Sequence, residues 1–488
     1  MGVTISPTSD PVLVVGLTID AWRSSVDFRS SGHRFEVDDV RRLFDEGAVA
    51  LVASDAEGEP IGSVIVVPDG TETMELTKLA VPDLGIRQSG VGSALVEAAA
   101  STAVTMGFTE LVLAVSLFQP QLCKYYARRG FVASPARTYR HASPHSPPPI
   151  VMFRPLDAST PPDPLGDAAD ALLDGGLVIL PTETVYGLGA LASDPIAVRR
   201  VFATKGRPVD HPLIVHVANR AAISYWAVDI PDSAWKLAER LWPGPLTLVL
   251  NKAGWVPPEV TGGLDTVALR VPRHKEALAI LGLLPENSGI AAPSANRFGK
   301  VSPTTAADAH NDLAPFLMSG DLVVDGGPCG LGVESTILDL TTPVPTILRP
   351  GGCTAEEIEE VLGSPVERVA SGPSRAPGML AAHYAPMAGV LVIDEGRVVA
   401  NATAAVAEGK SVGLLAPKGS VSTMAGVVCL DAPVPYTGET LAPVLYARLR
   451  EADRLGLDLL LVVAPNEEGL GVAVNDRLRR AETGSRRS

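Results

Sequence analysis

The stretch Pro181–Gly189 reads PTETVYGLG and directly follows Leu177–Leu180, an apolar run typical of a buried strand. It forms a turn rich in hydroxyl groups. A helix is predicted near Ile196–Thr204, and Lys205–Pro208 then reads KGRP. This order places hydroxyl groups and two fixed positive charges in one cleft. Such a cleft suits a nucleoside triphosphate together with a small polar substrate.

The bulk properties of the chain limit what it can be. At 488 residues it is too long for one hydrophobic core, and a hydrophobic fraction of 46% is ordinary for globular protein. A net charge of −15 disfavours a broad tRNA- or DNA-binding surface, because phosphate backbones require clustered Lys and Arg. The four scattered cysteines form no zinc or disulfide pattern. The cysteine pattern leads us to expect a cytoplasmic protein without a resident metal, and, since no apolar run is long enough for a membrane span, we expect no membrane segment.

Proline-rich stretches divide the chain into three α/β blocks. We predict an N-terminal domain over 1–157, a linker over 158–163, a central catalytic domain over 164–363, a linker and active-site lid over 364–387, and a C-terminal domain over 388–488. The strand-rich end of the central block indicates a twisted, mixed sheet, and the C-terminal block has a small, Rossmann-like, doubly wound pattern. Thr354 and Glu357 predict a capping box for a helix ending at Leu362.

A glycine-rich turn opens a helix in the N-terminal block. Ile86–Val96 reads IRQSGVGSALV after a predicted strand, Glu75–Val81. Backbone N–H groups at a helix start suit a pyrophosphate, although the two glycines could instead serve only close helix–strand packing. This segment resembles the acetyl-CoA loop of GNAT-type N-acetyltransferases, and Leu111–Phe131 is similar to that family's following strand and helix.

The GNAT resemblance implies a GNAT-like fold, acetyl-CoA as the cofactor and a tyrosine that protonates the departing thiolate. The acetyl acceptor stays open. The residues that the resemblance assigns to acetyl-CoA are Val81, Arg87, Gly90, Gly92 and Tyr126, with Tyr125 as the alternative general acid.

Eight short motifs occur in one order through the central block. They are PTETVYGLG, KGRP, WPGPLT (Trp242–Thr247), TVALRVP (Thr266–Pro272), APSAN (Ala292–Asn296), SPT (Ser302–Thr304), ESTI (Glu334–Ile337) and RPG (Arg349–Gly351). The set resembles the YrdC-like threonylcarbamoyl-AMP synthases. HYAP (His383–Pro386) and the C-terminal block resemble the long form of that family, in which a second α/β domain follows.

The synthase resemblance implies a condensation of L-threonine, bicarbonate or CO2, and ATP, with Mg²⁺ accompanying the nucleotide. The products are threonylcarbamoyl-adenylate and pyrophosphate, and a separate tRNA threonylcarbamoyl transferase complex uses the adenylate to modify tRNAs that read ANN codons. Little direct tRNA binding is expected. Negative charge gathers where the threonine carbamate attacks the α-phosphate, so cations and N–H donors aimed at that point are the expected catalysts.

The resemblance also assigns roles to individual residues. Lys205 and Arg207 are the catalytic cations on the ATP phosphates. Threonine contacts are assigned to Thr184, His216, Arg270, Ser294 and Ser335. Further ATP contacts are assigned to His211, Thr266, Asn296, Thr304, Arg349 and Tyr384, the last on the lid.

Less specific interpretations of these residues remain open. The lysine and arginine of KGRP could form a solvated surface pair, Arg270 could form a salt bridge at the edge of the core, and His216 could be an ordinary core histidine. The central block could also be a non-catalytic YrdC-like fold that binds RNA, which the negative net charge disfavours. A carbamoyltransferase of hydrogenase maturation should contain zinc-binding CxxC pairs, which this sequence lacks. The C-terminal block has no catalytic spacing of titratable residues, which indicates a regulatory or docking domain.

Overall fold

The computed structural model of the chain describes residues 3–22, 35–55, 57–82, 91–116, 122–134, 137, 148–156, 163–368, 384–420 and 424–485. Contacts divide the chain into two units, Met1–Gly176 with Met318–Asp321, and Leu177–Leu317 with Leu322–Ser488. The predicted mixed α/β fold class is confirmed. None of the helices within these ranges is both long enough and apolar enough to cross a membrane.

The first unit is built on a seven-stranded sheet. Its strands are β1 (Thr4–Thr8), β2 (Val49–Ser54), β3 (Pro60–Asp69), β4 (Thr73–Ala80), β5 (Glu110–Val115), β6 (Val132–Ala133) and β7 (Ile150–Pro155). Its helices are α1 (Pro11–Trp22), α2 (Val37–Asp45), α3 (Val91–Thr105), α4 (Leu122–Arg128) and α5 (Pro164–Leu173). The strand order is β1-β2-β3-β4-β5-β7-β6.

One pair of neighbouring strands in this sheet is parallel. β4 and β5 pair only over Thr73–Glu75 and Glu110–Val112, while the other neighbours are antiparallel. Pairing between the described residues of the two strands therefore stops well before β4 ends. The helix α3, predicted to follow the glycine turn, packs on β3 and β4 through Leu95 and Val96 in the core of this unit.

The second unit contains a ten-stranded mixed sheet. Its strands are β8 (Val178–Leu180), β9 (Gly187–Leu191), β10 (Ile214–Val217), β11 (Leu246–Asn251), β12 (Thr266–Arg270), β13 (Gly289–Ala291), β14 (Leu322–Val323), β15 (Thr336–Asp339), β16 (Thr346–Arg349) and β17 (Glu367–Arg368). The order β14-β8-β9-β13-β10-β12-β11-β15-β16-β17 combines parallel and antiparallel neighbours, as the sequence predicts.

Seven helices accompany this sheet in the described part of the chain: α6 (Pro195–Lys205), α7 (Ile223–Trp226), α8 (Asp232–Leu241), α9 (Pro258–Thr261), α10 (Lys275–Leu283), α11 (Ala306–Leu313) and α12 (Ala355–Leu362). The predicted capping box of α12 is present. Thr354 Oγ1 accepts the N–H of Glu357 at 3.2 Å, and the Glu357 carboxylate accepts the N–H of Thr354 at 2.7 Å.

The C-terminal block forms a four-stranded parallel sheet. It consists of β18 (Gly389–Ile393), α13 (Val398–Ala407), β19 (Val412–Leu415), β20 (Val427–Cys429), α14 (Gly438–Arg454), β21 (Leu459–Val463) and α15 (Gly471–Ser485). The order β18-β21-β19-β20 is the predicted small Rossmann-like pattern. Its core is continuous with the central block, because Val185, Val301 and Val333 pack in one hydrophobic cluster with Leu441 and Leu445.

Candidate active site

The PTETVYG segment is the buried turn that joins β8 to β9. Thr182 Oγ1 accepts hydrogen bonds from the N–H groups of Thr184 and Val185, both at 3.2 Å, and so caps the turn. Thr184 Oγ1 in turn accepts a hydrogen bond from Arg270 Nη1 at 3.0 Å. The motif therefore connects the end of β8 to Arg270, a cation on β12.

The strands β10 and β12 run side by side and bring His216 opposite Arg270. Arg270 is 3% exposed, and its Nε donates to the Gly244 carbonyl at 3.1 Å. Its Nη2 lies 2.8 Å from Oε2 of Glu183, a residue of the turn that was not among the predicted site residues. Arg270 is thus both half of a buried ion pair and a wall of the pocket.

Burial and charge set the protonation of these groups. Burial opposes ionisation of Glu183, but the neighbouring Arg270 holds the pKa of this carboxyl below its ordinary value. Burial, with the positive charge of Arg270 adding to it, lowers the pKa of His216 to about 3, so the imidazole is neutral at neutral pH. His216 lines the pocket, and its Nδ1 is buried without a hydrogen-bond partner among the described residues.

The KGRP motif begins at the C-terminal end of α6. Gly206 ends the helix with a left-handed φ of 63°, and a Cβ placed there would lie 2.7 Å from Arg297 Nη2. Lys205 Nζ donates to the Asn296 carbonyl at 2.5 Å and also to the Ser294 carbonyl. Burial and the nearby Arg207 hold the pKa of Lys205 well below its ordinary value. When Lys205 is protonated its ammonium has three donors, so one N–H remains for a ligand.

Arg207 is buried on the same side of the site. Its Nη2 donates to the Pro212 carbonyl at 3.0 Å, whereas its Nε has no hydrogen-bond partner among the residues that the structure places. Burial lowers the pKa of Arg207 to about 10, with the like charge of Arg349 contributing. The guanidinium therefore stays charged at neutral pH, with a donor group to spare.

Ser335, directly before β15, and Arg349, the last residue of β16, also line the site. Nε and Nη2 of Arg349 donate to the Ser335 carbonyl at 3.2 and 2.8 Å, and Nη2 also reaches Ser335 Oγ at 3.2 Å. The Ser335 and Thr247 hydroxyls are 2.8 Å apart. Gly351 of the RPG motif lies against this backbone, since a Cβ at Gly351 would lie 2.4 Å from Glu334 O, Ser335 C and Thr336 N.

We expect Gly351→Ala to destabilise the fold by about 1–3 kcal/mol, because the added methyl group must displace rigid backbone beside Ser335. Urea denaturation measures the loss. The matched control is Gly282→Ala in α10, where a Cβ meets nothing within 4 Å, and its effect should stay within about 1 kcal/mol. Equal midpoints for both variants would contradict the close packing of Gly351.

One pocket collects most of the predicted synthase residues. Ten of them line it: Thr184, Lys205, Arg207, His216, Arg270, Ser294, Asn296, Ser335, Arg349 and Tyr384. Its lining also includes Thr182, Phe298 and Glu334. Cations from a helix end and from two strands thus share one cavity with hydroxyl groups, as the motif order predicts.

Three of the predicted ATP contacts do not line this pocket. The His211 ring lies at its margin, 5.6 Å from the ring centroid of Phe298. Thr304 is buried, with its carbonyl accepting the N–H of Cys329 at 2.9 Å. Thr266 begins β12, four residues before Arg270, so the two are separated by about 13 Å along the strand. The TVALRVP motif runs the length of a strand, and only its far end reaches the pocket.

Glu334 is a buried carboxylate that sequence reasoning missed. Ser302 Oγ donates to its Oε1 at 2.7 Å, and Tyr446 Oη of the C-terminal block donates to its Oε2 at 2.8 Å. Tyr384 of the predicted lid is 1% exposed and stacks on Tyr446 with ring centroids 5.6 Å apart. The lid residues 369–383 lie outside the described residues.

The predicted acetyl-CoA residues belong to the first unit. A Cβ on Gly92, in the first turn of α3, would lie 3.2 Å from Tyr125 Oη and 3.8 Å from Val81 Cγ2, so these three residues stand together. Tyr126 instead packs in the hydrophobic core, its ring 5.7 Å from that of Phe131. Of the two candidate tyrosines, Tyr125 is therefore the one at the helix start. Arg87 and Gly90 lie outside the described residues.

Comparison with known proteins gives three family matches. The Sua5/YciO/YrdC model, described as "Telomere recombination", matches residues 170–351. The model of the threonylcarbamoyl-AMP synthase C-terminal domain matches 353–483, and the GNAT acetyltransferase model matches 18–131. The threonylcarbamoyl-AMP synthase of Pyrococcus abyssi is 45% identical over 328 residues, which cover 64% of this chain and 92% of that protein. The chain belongs to the threonylcarbamoyl-AMP synthase family.

A further relative and a solved structure support the family assignment. The threonylcarbamoyl-AMP synthase of Bacillus subtilis is 41% identical, covering 66% of this chain and 93% of its own length. The crystal structure of P. abyssi Sua5 complexed with L-threonine superposes with a TM-score of 0.61 at 42% identity, covering 66% of this chain and 96% of that one. The pocket described above therefore lies in the part of the chain that is shared with this synthase family.

Proposed function

We propose that this chain synthesises L-threonylcarbamoyl-AMP from L-threonine, bicarbonate or CO2, and ATP. The amine of threonine adds to CO2 to give a carbamate, a carbamate oxygen attacks the α-phosphorus of ATP, and pyrophosphate leaves. The observation that carries the proposal is the single pocket in which Lys205, Arg207 and Arg349 share one cavity with the Thr184 and Ser335 hydroxyl groups.

On the nucleotide side, Lys205 and Arg207 would bind the phosphates and stabilise the charge that builds at the α-phosphorus. Each has a donor group left for a ligand, as described above. Arg349 would add a third positive charge, and Asn296 and Tyr384 line the same cavity. The low exposure of these cations, 2% for Lys205 and 3% for Arg349, suits a small enclosed ligand and disfavours the alternative of a polynucleotide-binding face.

On the amino-acid side, Arg270 would bind the threonine carboxylate, with Thr184, His216, Ser294 and Ser335 around it. The neutral His216 adds no charge to this wall. Because the pKa of Glu183 is held below its ordinary value and that of His216 is about 3, neither group should give activity a pH dependence between pH 6 and 8.

Mg²⁺ would enter with the nucleotide. Glu334 of the pocket lining and Glu183, the ion-pair partner of the lining residue Arg270, are already paired with arginines, so the phosphate oxygens would supply its ligands. Among the described residues, no group of three or more His, Cys, Asp or Glu side chains is arranged to hold a metal ion.

The GNAT domain carries a second proposed activity, acetyl-CoA-dependent N-acetylation. The first turn of α3, beside Val81 and Gly92, would receive the pyrophosphate, and Tyr125 is the better placed general acid. The proposed boundaries remain 1–157, 164–363 and 388–488, although α5 falls in the first unit. A cytoplasmic location and a downstream tRNA threonylcarbamoyl transferase complex also remain predictions.

The synthase proposal is tested by incubating the purified full chain with ATP, Mg²⁺, L-threonine and ¹³C-bicarbonate. We expect pyrophosphate release that requires both threonine and bicarbonate, and an adenylate product whose mass carries the ¹³C label. L-Valine, which lacks the hydroxyl group, serves as the control substrate. Pyrophosphate release that is independent of threonine, or no labelled adenylate, would overturn the proposal.

We expect Gly92→Leu to weaken acetyl-CoA binding by about 10-fold or more, because the larger side chain must fill the space between Tyr125 Oη and Val81. Isothermal titration calorimetry with acetyl-CoA measures this. Gly16→Leu on α1 is the matched control, since a Cβ there meets nothing within 4 Å. Equal affinities for the two variants would contradict the placement of the cofactor at α3.

A further inference from the structure

The C-terminal block places a fully buried arginine behind the synthase pocket. Arg477 of α15 is 0% exposed, and its Nε donates to Glu334 Oε2 at 2.9 Å. Its Nη1 donates to the Pro350 carbonyl at 2.7 Å and to Asp476 Oδ2 at 2.8 Å. Pro350 follows Arg349, so Arg477 holds both the pocket carboxylate and the backbone beside the pocket arginine.

Two of the groups that hold Glu334 come from outside the central block. Tyr446 Oη and Arg477 Nε both donate to its carboxylate, while Ser302 supplies the donor from the central block. The Arg477 guanidinium also lies 5.4 Å from the ring centroid of Tyr384. The C-terminal block therefore contacts the site through specific polar groups in addition to its hydrophobic packing.

The charge balance of the pocket explains why the contact between Arg477 and Glu334 is important. Glu183 is neutralised within the central block by Arg270. Glu334 directly precedes Ser335, whose carbonyl accepts a hydrogen bond from Arg349. The Glu334 carboxylate also interacts electrostatically with the Arg349 guanidinium. Without Arg477, the negative charge of Glu334 would be left to Arg349 or would face the triphosphate. A buried carboxylate without a partner is costly and repels an anionic ligand.

We propose that Arg477 is a positioning residue for the nucleotide: it neutralises Glu334 from the C-terminal block and so leaves the positive charge of Arg349 available to the ATP phosphates. This inference rests on the proposed function and adds to it. It assigns the C-terminal domain a defined part in nucleotide binding, where the sequence indicates only a regulatory or docking role.

The protonation of Glu334 agrees with this arrangement. Burial opposes its ionisation, but Arg477, with Arg349 and the Ser302 hydroxyl, lowers the pKa of Glu334 to about 2. The other titratable groups that face it are Tyr384 and Tyr446, with Asp476 beside Arg477. Loss of Arg477 should raise the pKa of Glu334 towards the working range, because burial would then act with one cation fewer opposing it.

The test compares Arg477→Gln with the double variant Glu334→Gln/Arg477→Gln. We expect Arg477→Gln to raise the Kd for ATP by about 10-fold or more, with threonine binding changed less than about twofold. The double variant should recover most of the ATP affinity, since the uncompensated carboxylate is gone. In Arg477→Gln alone, the Kd for ATP should also rise with pH as Glu334 ionises. Arg479→Gln on the same helix is the control, because Arg479 pairs with Glu467 at the surface.

Calorimetry with ATP in the absence of threonine measures these affinities without turnover, so failure of this inference can be distinguished from failure of the proposed reaction. A double variant that binds ATP no better than Arg477→Gln, or equal losses of ATP and threonine binding, would show that Arg477 is merely structural and would overturn the proposal. If Arg477→Gln does not fold, the ATP affinity of the double variant Glu334→Gln/Arg477→Gln is compared with that of the wild type. A near-normal affinity supports the proposal, and a loss of about 10-fold or more overturns it.

Discussion

Lys205→Ala is expected to reduce the turnover of threonylcarbamoyl-AMP synthesis by about 100-fold or more. Lys205 is 2% exposed, and its ammonium is fixed by the carbonyls of Ser294 and Asn296. The remaining N–H would act on the phosphates where charge develops in the transition state. Water cannot easily replace it at so buried a position. Pyrophosphate release at saturating ATP and threonine measures the effect.

The control for Lys205 is Lys275→Ala, whose side chain is 87% exposed at the start of α10. It should leave turnover within about twofold of the wild type. Thermal unfolding of both variants shows whether the fold survives, because Lys205 also holds the loop that carries Ser294. A folded Lys205→Ala protein with near-normal turnover would remove this lysine from the proposed catalytic groups.

Arg270→Ala is expected to lower kcat/KM for threonine by about 100-fold or more. The change removes the proposed partner of the threonine carboxylate. It also leaves Glu183, 2.8 Å from Arg270 Nη2, as an uncompensated buried negative charge next to the pocket that must receive an anion. The two effects act in the same direction. Steady-state kinetics with threonine as the varied substrate measure the loss.

Arg220→Ala is the matched control, because Arg220 pairs with Glu239 where both side chains are more than half exposed. Such a surface pair contributes little, so kcat/KM should stay within about twofold of the wild type. Adding Glu183→Gln to Arg270→Ala should recover part of the threonine affinity by removing the uncompensated charge. A loss confined to the KM for ATP would show that Arg270 does not bind the amino acid.

Local patterns in the sequence predict the elements that carry the pocket. The apolar run before PTETVYG is β8, the helix expected near Ile196–Thr204 is α6, and the helix predicted to end at Leu362 is α12 with its capping box. These predictions hold because strand and helix periodicity and helix caps are short-range properties. Motif order then brings the ends of those elements to one cavity, where ten of the thirteen predicted synthase residues lie.

The partners of the buried carboxylates could not be predicted in this way. Arg477 lies 143 positions from Glu334, in a block without any catalytic spacing, and only the packing of α15 brings them together. Glu183 lies inside the PTETVYGLG motif, but its partner Arg270 lies on a distant strand, so the sequence does not show that they pair. The prediction of Thr266 as an ATP contact fails for a different reason. Thr266 belongs to a motif that reaches the pocket, but it lies at the far end of β12 from Arg270.

Gly206 lies between the two phosphate-binding candidates, Lys205 and Arg207, so a change at this one residue bears on both. Its left-handed backbone disfavours a side chain, and a Cβ there would have to displace the Arg297 guanidinium. A single codon change there would shift Lys205 and Arg207 together. Substitutions at position 206 are therefore expected to disturb both cations at once, whereas Lys205 and Arg207 can each be replaced separately.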